Sequence, residues 1–257
     1  MKIILTHGGA GSRNENSDGT LVAAKRGLDF LIIGESTLDS VCFAVETLEN
    51  DSRFNAGIGS AKRSDGSVMM DAACMSCENQ FGAIAGMEGF KNPIWVARKV
   101  CREEFRLLSG HGASQFAREH CFEPMITSDC RPSGSGTSDT VGAVAFDGKH
   151  FAAGLSTGGT GESHPGRVGD VPLFGCGLYA GVFGAVAATG HGESITMNLT
   201  SYRSYEMLKR GTSPEIVLKT VLGWFHNVDI GLIIVSRNGY AAGSNRSMAW
   251  SIATEES

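Results

Sequence analysis

Two threonines flank the clearest hairpin in the chain. Thr140–Phe146 and His150–Thr157 read as strands, and Asp147-Gly148 between them is the strongest short hairpin signal present. A two-residue turn there sets Phe146 opposite Lys149 and Thr140 opposite Leu155. Thr157 then lies two residues further along on the same face, which puts the two threonine backbones roughly 7–8 Å apart. A hydroxyl is a weak nucleophile until a base stands beside it. Two hydroxyls therefore converge at a strand end, within reach of a shared substrate. On this geometry alone the plainer reading, two ordinary strand threonines, stays open.

Two other patterns compete for a chemical role. Gly154-Leu155-Ser156-Thr157-Gly158 fits the G-x-S-x-G elbow of serine esterases, and His7-Gly8-Gly9 could imitate the oxyanion loop of that class. The elbow requires a helix straight after its serine. Gly158, Gly159, Gly161, Pro165 and Gly166 follow instead, and a helix does not survive that run. Cys74 and Cys77 have the spacing of half a zinc site or a redox pair, but no second pair with zinc-site spacing accompanies them. Two buried small hydrophobic residues are the expected reading.

The elements that must position these residues are legible in outline. Lys2–Leu5 reads as a short strand ending at His7-Gly8-Gly9-Ala10-Gly11. A helix is expected over Thr20–Ile33, stopped by Gly34. A second follows with Ser36 as cap and Asp39 three residues on, its apolar positions Leu38, Val41, Cys42, Val45 and Leu48 at helical spacing. Arg53–Ser60 is turn-rich. Val68–Ala73 and Phe81–Met87 read as strands, and Asn92-Pro93 opens a helix to about Glu104. A short helix near Ala113–Glu119 comes next. The stretch 123–139, with Pro124, Pro132, Gly134 and Gly136, is the one convincing linker. Beyond the hairpin come a glycine-rich loop over Gly158–Gly177 and a strand over Val182–Thr189. Helices over Leu199–Arg210 and Ser213–His226 follow, then a hairpin of Ile230–Ser236 and Tyr240–Gly243 about Asn238-Gly239. Strands in hairpins with helices grouped between them indicate an α+β fold, largely antiparallel, with helices outside.

Composition removes several classes of function. The 257 residues are 42% hydrophobic and 19% charged, enough for a sizeable core. A formal net charge of −5 without a basic run argues against a nucleic-acid partner. No stretch approaches the roughly 18 apolar residues of a membrane span. The N-terminal apolar stretch is too short for a signal peptide, and the seven cysteines lack a disulfide-framework spacing. A soluble, cytoplasmic protein in a reducing compartment is expected, without membrane or nucleic-acid partners.

Seven segments together carry a resemblance: His7-Gly8-Gly9-Ala10-Gly11, Phe54-Asn55-Ala56-Gly57, Lys91-Asn92-Pro93-Ile94, Asp139–Ala145, Ser156-Thr157-Gly158-Gly159, Gly166-Arg167-Val168-Gly169-Asp170, and Ala188-Thr189-Gly190-His191-Gly192-Glu193. In this order and spacing the chain resembles the plant-type asparaginases and isoaspartyl peptidases, N-terminal threonine nucleophile hydrolases related to glycosylasparaginase. The resemblance covers almost the whole chain. It implies a single domain, a four-layer αββα sandwich, made as a precursor that cuts itself between Asp139 and Thr140. The products would be an α chain, 1–139, and a β chain, 140–257.

The resemblance also implies roles. Thr140 would be the nucleophile and its freed amine the general base, with an ordinary pKa of about 7.7–8.0. Thr157 would position or polarise that nucleophile. Arg167 would grip a substrate α-carboxylate, which suits a planar bidentate guanidinium, and Asp170 would hold the α-ammonium. Thr189 and the Gly190 N–H would form the oxyanion hole, with Asn55 as a further donor. No catalytic metal or cofactor is implied, although the loop Leu48–Ser60 resembles one that holds a structural sodium through backbone carbonyls. The expected partners are a small-molecule or dipeptide substrate and a second copy, giving a homodimer of cleaved αβ units.

Departures from the family pattern leave the substrate open. Asp139 before the nucleophile matches glycosylasparaginases, whereas His7-Gly8-Gly9-Ala10-Gly11 favours the asparaginase branch. Thr160–Pro165 carries Glu162 and His164 where family members often show lysine. A glycosylasparaginase-like amidase is one alternative, and an uncleaved, non-catalytic ligand-binding homologue is another. Arg167 and Asp170 could also be a surface ion pair, and His191 is expected to be a structural turn residue.

Overall fold

The computed structural model describes residues 1–125 and 140–256. Of the expected linker only 123–125 fall among these, where Pro124 bridges Phe90 and Met125 is buried. Asp139 lies outside the described residues.

Two sheets carry the architecture. The larger contains β1 (Ile3–Ala10), β2 (Met70–Ser76), β3 (Phe81–Met87), β4 (Leu107–Ser109), β5 (Val141–Phe146), β6 (Phe151–Thr157) and β11 (Met248–Thr254), in the order β11-β1-β5-β6-β2-β3-β4. The smaller contains β7 (Leu178–Gly181), β8 (Gly184–Gly190), β9 (Ile230–Ser236) and β10 (Gly239–Ser244), in the order β10-β9-β8-β7. All pairings are antiparallel except β3 with β4. Helices α1 (Ser17–Ile33), α2 (Thr37–Glu49), α3 (Pro93–Val100) and α4 (Gly110–Glu119) pack on the larger sheet. Helices α6 (Thr200–Lys209) and α7 (Pro214–Leu222) pack on the smaller.

Period-two alternation sorts the strand residues between three cores. Ile3 and Leu5 of β1, with Ile233 and Val235 of β9, join the core between the sheets. Ile4 turns to the helix side of the larger sheet with Val41, Val45 and Leu48. Leu232 and Ile234 turn to the other helix layer with Val217 and Val221. Strands buried on both faces read as continuous apolar runs, which is why β9 carries no polar residue before Ser236. Among the described residues no helix is long and apolar enough to cross a membrane.

Local signals hold where the chemistry is local. Ser36 Oγ accepts from Asp39 N–H at 3.0 Å, the expected cap. Gly34 ends α1 in the left-handed region, φ +101°. Other expectations are corrected. β1 does not stop before His7 but runs through to Ala10. α3 ends at Val100, and Asn92 does not cap it through its side chain: its backbone is left-handed, and its amide reaches Glu49 and Asn50. β7, β11 and the short α5 (Gly192–Met197) were not expected. Cys74 and Cys77 are three residues apart on one strand run and so face opposite sides. Cys74 joins the helix-side core, and Cys77 packs against the core between the sheets.

One buried carboxylate holds the helix layer to the site strand. Glu49, at the end of α2, is fully buried and accepts from Ile94 N–H at 3.0 Å and from Asn92 Nδ2 at 3.2 Å. It thus caps α3 from a neighbouring helix. Burial pushes its pKa from 4.5 up to about 8, with Ser156, Ile94 and Asn92 opposing the shift. Because the folded state holds this proton more tightly than the unfolded chain, the Glu49 contribution falls as pH rises from about 4.5 through about 8 and then levels. Glu49→Gln is expected to weaken that fall. Melting temperatures of both proteins at pH 5 and pH 9 should differ less in the variant, and an unchanged difference would count against the buried acid.

Candidate active site

The hairpin that carries the two threonines closes differently from the expectation. Phe146 pairs with Phe151 and Val141 with Ser156, so the loop has four residues, Asp147–His150, and not two. Asp147 Oδ1 accepts from the Lys149 and His150 amides at 2.7 and 2.6 Å, which turns the chain before the ladder begins. Every pair therefore shifts by two. Continuing the ladder by one step sets Thr140 directly opposite Thr157, at a Cα separation of about 4.5–5.5 Å. Thr157 in turn pairs with Asp71 of β2. A threonine, a threonine and an aspartate thus lie in a row across three strands.

Both threonines are buried, and they line one cleft with Arg167, Asp170 and Gly190. Gly159, Thr160, Gly169 and Gly192 complete its wall. Thr157 Oγ1 accepts from Gly159 N–H at 3.0 Å, which leaves its hydroxyl proton to be donated elsewhere. Thr189 is buried one residue before Gly190, and its Oγ1 accepts from Ala10 N–H at 3.1 Å. The end of β1 is thereby tied to the end of β8. Gly190 has φ +132°, and a Cβ there would meet Asp229 O at 2.1 Å.

Asn55 stands behind the cleft and not in its wall. Its Nδ2 donates to Gly159 O at 2.7 Å, its Oδ1 accepts from Ala61 N–H at 2.8 Å, and its carbonyl accepts from Gly158 N–H at 2.9 Å. One of the two amide protons expected at an oxyanion is thus committed to shaping the Gly158-Gly159 turn. His7 is fully buried beside Gly142, and neither ring nitrogen makes a hydrogen bond of good geometry, although the Thr140 backbone lies close to the ring. Burial lowers its pKa to about 3, so the imidazole is neutral at working pH.

Arg167 and Asp170 do not form a pair with each other. Arg167 grips Glu193 of α5 in a bidentate fork, with Nε to Oε1 and Nη2 to Oε2 both at 2.9 Å. Asp170 is wedged between Gly177 and Gly192, where any side chain would meet its carboxylate within 3 Å. Its Oδ2 has no hydrogen-bond partner. Burial raises its pKa from 3.8 to about 7, with Arg167 opposing and Asp71 and Glu193 adding to the rise. A buried carboxylate without a partner is costly, and a cation entering the cleft would relieve that cost. His191 caps α5, accepting from Ser194 N–H at 3.3 Å, which agrees with a structural role.

The loop 48–60 turns tightly enough to gather carbonyl oxygens. A Cβ at Gly57 would meet Glu49 O at 2.4 Å, and one at Gly59 would meet Phe54 O at 1.9 Å and Ser52 O at 3.0 Å. Such uncharged hard donors fit a monovalent cation. Among the described residues no cluster of three or more His, Cys, Asp and Glu side chains could hold a metal ion. Larger grooves of about 330 and 440 Å3 lie beside Met1 and Arg237 and beside Gly19 and Arg53, away from the threonine pair.

Three groups at the site were missed from the sequence: Asp71, Arg63 and Glu193 as the Arg167 partner. A lone acid within the apolar run Val68–Ala73 was the available signal for Asp71. Arg63 is fully buried against Gly159 and donates to Ser163 Oγ and Met69 O. Nothing in its turn-rich surroundings marked it as buried.

Two sheets flanked by helices thus carry a cleft lined by two hydroxyls, one guanidinium and one carboxylate. The chain belongs to the asparaginase family, whose model, described as Asparaginase, matches residues 1–132 and 126–257. It is 36% identical to the isoaspartyl peptidase/L-asparaginase of Danio rerio, covering 99% of this chain and 93% of that protein. It is 35% identical to the plant-type L-asparaginase of Pyrococcus furiosus, covering 93% and 91%. With the isoaspartyl peptidase/L-asparaginase of Rattus norvegicus it shares 34% identity over 96% and 85%.

Proposed function

We propose that the chain is a self-activating threonine amidohydrolase that releases aspartate from asparagine and from β-aspartyl dipeptides. The observation that carries this reading is the convergence of Thr140 and Thr157 with Arg167 and Asp170 in one cleft. Two hydroxyls supply nucleophile and positioning partner, and the two charged residues match the α-carboxylate and α-ammonium of an amino acid. The names of the relatives above support the same substrates.

Maturation begins when Thr140 Oγ attacks the carbonyl of Asp139. The amide becomes an ester, water hydrolyses the ester, and Thr140 is left with a free amine. That amine takes the proton of its own hydroxyl as Oγ attacks the side-chain carbonyl of the substrate. The Gly190 N–H and the Thr189 hydroxyl stabilise the oxyanion, and Asn55 holds the Gly158-Gly159 turn that positions Thr157. Ammonia or the peptide amine leaves with the proton, and water then frees aspartate from the acyl-enzyme. At the outer end the substrate α-carboxylate replaces Glu193 on Arg167, one bidentate carboxylate for another. The α-ammonium takes the vacant Asp170 Oδ2.

The fold proposed for this activity is the four-layer αββα sandwich of N-terminal nucleophile hydrolases. Layer order is supported by helices packed on the outer face of each sheet and by the apolar core between the sheets. A sodium ion held by carbonyls of the loop 48–60 would stiffen the segment that carries Asn55, and it takes no part in the reaction. We assign the active form as a cytoplasmic homodimer of cleaved αβ units.

Intact-mass spectrometry after incubation at neutral pH tests the reading. Fragments corresponding to 1–139 and 140–257 are expected, with ammonia released from asparagine and aspartate from β-aspartyl dipeptides. A single uncut chain that releases neither would sink the proposal, and release of aspartate only from glycosylated asparagine would move it to the glycosylasparaginase branch.

A further inference from the structure

Beneath the cleft lies a second carboxylate that the reaction above does not use. Asp71 is fully buried on β2, one strand from Thr157 and two from Thr140. Its Oδ1 accepts from Gly86 N–H at 2.7 Å. That amide belongs to an irregular step in the β2–β3 ladder, where the register shifts between Met70 and Ala72 and Gly86 turns left-handed at φ +61°. An extra residue in one strand re-aims neighbouring groups, and here its amide fastens the Asp71 carboxylate. The other oxygen, Oδ2, has no hydrogen-bond partner, although the Gly169 amide lies close to the carboxylate. Gly169 immediately precedes Asp170, whose own Oδ2 is also unpartnered.

The charges around this pair are few and nameable. Burial raises the Asp71 pKa, and the Gly86 amide, Arg63, the Gly169 amide and Arg167 oppose that rise and favour its charged form. Asp170 faces Arg167, Asp71, Glu193 from α5 and the Cys176 thiol. Two guanidiniums are thus set among three carboxylates, leaving the ionised cluster one negative charge in excess. A zwitterionic substrate brings a carboxylate that can displace Glu193 and an ammonium that answers the excess.

We propose that Asp71 is a positioning residue for the amino-acid-binding arm, acting through Gly169 and Asp170 to match that arm to a substrate that carries an α-ammonium. The inference rests on the proposed role of Asp170. With the cleft empty, burial first and Asp71 after it discourage ionisation of Asp170, raising its pKa to about 7. Ammonium binding reverses the balance and ionises Asp170 when the charge is useful. Asp71 therefore adds, beyond burial, to the pH below which asparagine is no longer held.

The test compares kcat/KM against pH for the cleaved wild-type enzyme and for Asp71→Asn, which keeps an acceptor for Gly86 N–H and removes the charge. With asparagine, the acidic limb is expected to move to lower pH by on the order of one unit. With succinamic acid, which is asparagine without the α-amino group, the two enzymes should show the same limb. Asp71→Ser provides a second neutral side chain with an acceptor. An unmoved limb with kcat reduced evenly at all pH, or loss of cleavage in both variants, would reduce Asp71 to a structural group and overturn the proposal. Asp170→Asn separates the two failures. If it spares asparagine binding, the role of Asp170 falls and the inference with it; if it abolishes binding while the Asp71→Asn limb is unmoved, the inference alone falls.

Discussion

Thr140→Ala is expected to remain a single chain of 257 residues and to lose activity on asparagine by roughly 10⁴-fold or more. Both losses have one cause. Without Oγ there is no attack on the preceding carbonyl, so the amine that would act as base is never freed, and the later acyl-enzyme has no oxygen on which to form. The fold should survive, because Thr140 precedes β5 and the ladder from Val141 to Phe146 does not depend on its side chain. Denaturing gels and ammonia release read the two effects separately. A Thr140→Ala protein that is still cut at the same bond would move the nucleophile elsewhere, and one that is uncut yet fully active would separate maturation from catalysis.

Gly190→Ala should be almost as damaging with a change of one methyl group. The backbone there has φ +132°, which L-residues rarely adopt, and the new Cβ would meet the Asp229 carbonyl oxygen at 2.1 Å. That oxygen also accepts from His191 N–H at 2.9 Å, so it is held in place. The strand end must shift, and the N–H proposed for the oxyanion hole shifts with it. Loss of one such donor costs about 10²–10³ in rate, and the strain should cost about 1–3 kcal/mol of stability. Gly148→Ala is the control, since Gly148 has φ +100° with nothing within 4 Å of a Cβ. It should lose some stability and keep kcat. If Gly190→Ala turns over asparagine at the wild-type rate, the oxyanion hole lies elsewhere.

What could be read from the residues was whatever a few neighbours decide. Ser36 with Asp39, Gly34 after Ile33 and the run Phe81–Met87 specify their own conformations, and the structure follows them. The hairpin register failed because Asp147 uses its carboxylate to hold two amides, lengthening the loop from two residues to four. The correction brings Thr140 and Thr157 closer than expected. β1 was cut short because glycines at 8 and 9 discourage a free strand, whereas β5 and β11 on its two sides and the Phe54 ring against Gly8 keep it extended. Glu49 and Arg63 were beyond local reading, and Asp71 was marked only as a lone acid in an apolar run. Their burial is created by segments distant in sequence, and only the assembled fold shows that they are dry.

The order of strands in the larger sheet has a consequence of its own. β1, from the segment before Thr140, lies between β5 and β11 from the segment after it, while β6 is paired to β2. If the bond before Thr140 is cut as proposed, the two polypeptides are interleaved within a single hydrogen-bonded sheet, and neither can leave without tearing three ladders, β1 with β5, β1 with β11 and β2 with β6. The precursor folds as one molecule, with the ends of each pairing tethered. A cut enzyme, once unfolded, would become two independent coils whose reunion is second order and dilution-sensitive. The proposed cut would therefore convert a folding problem into an association problem, and the durability of the working enzyme would become a matter of how slowly its sheet opens.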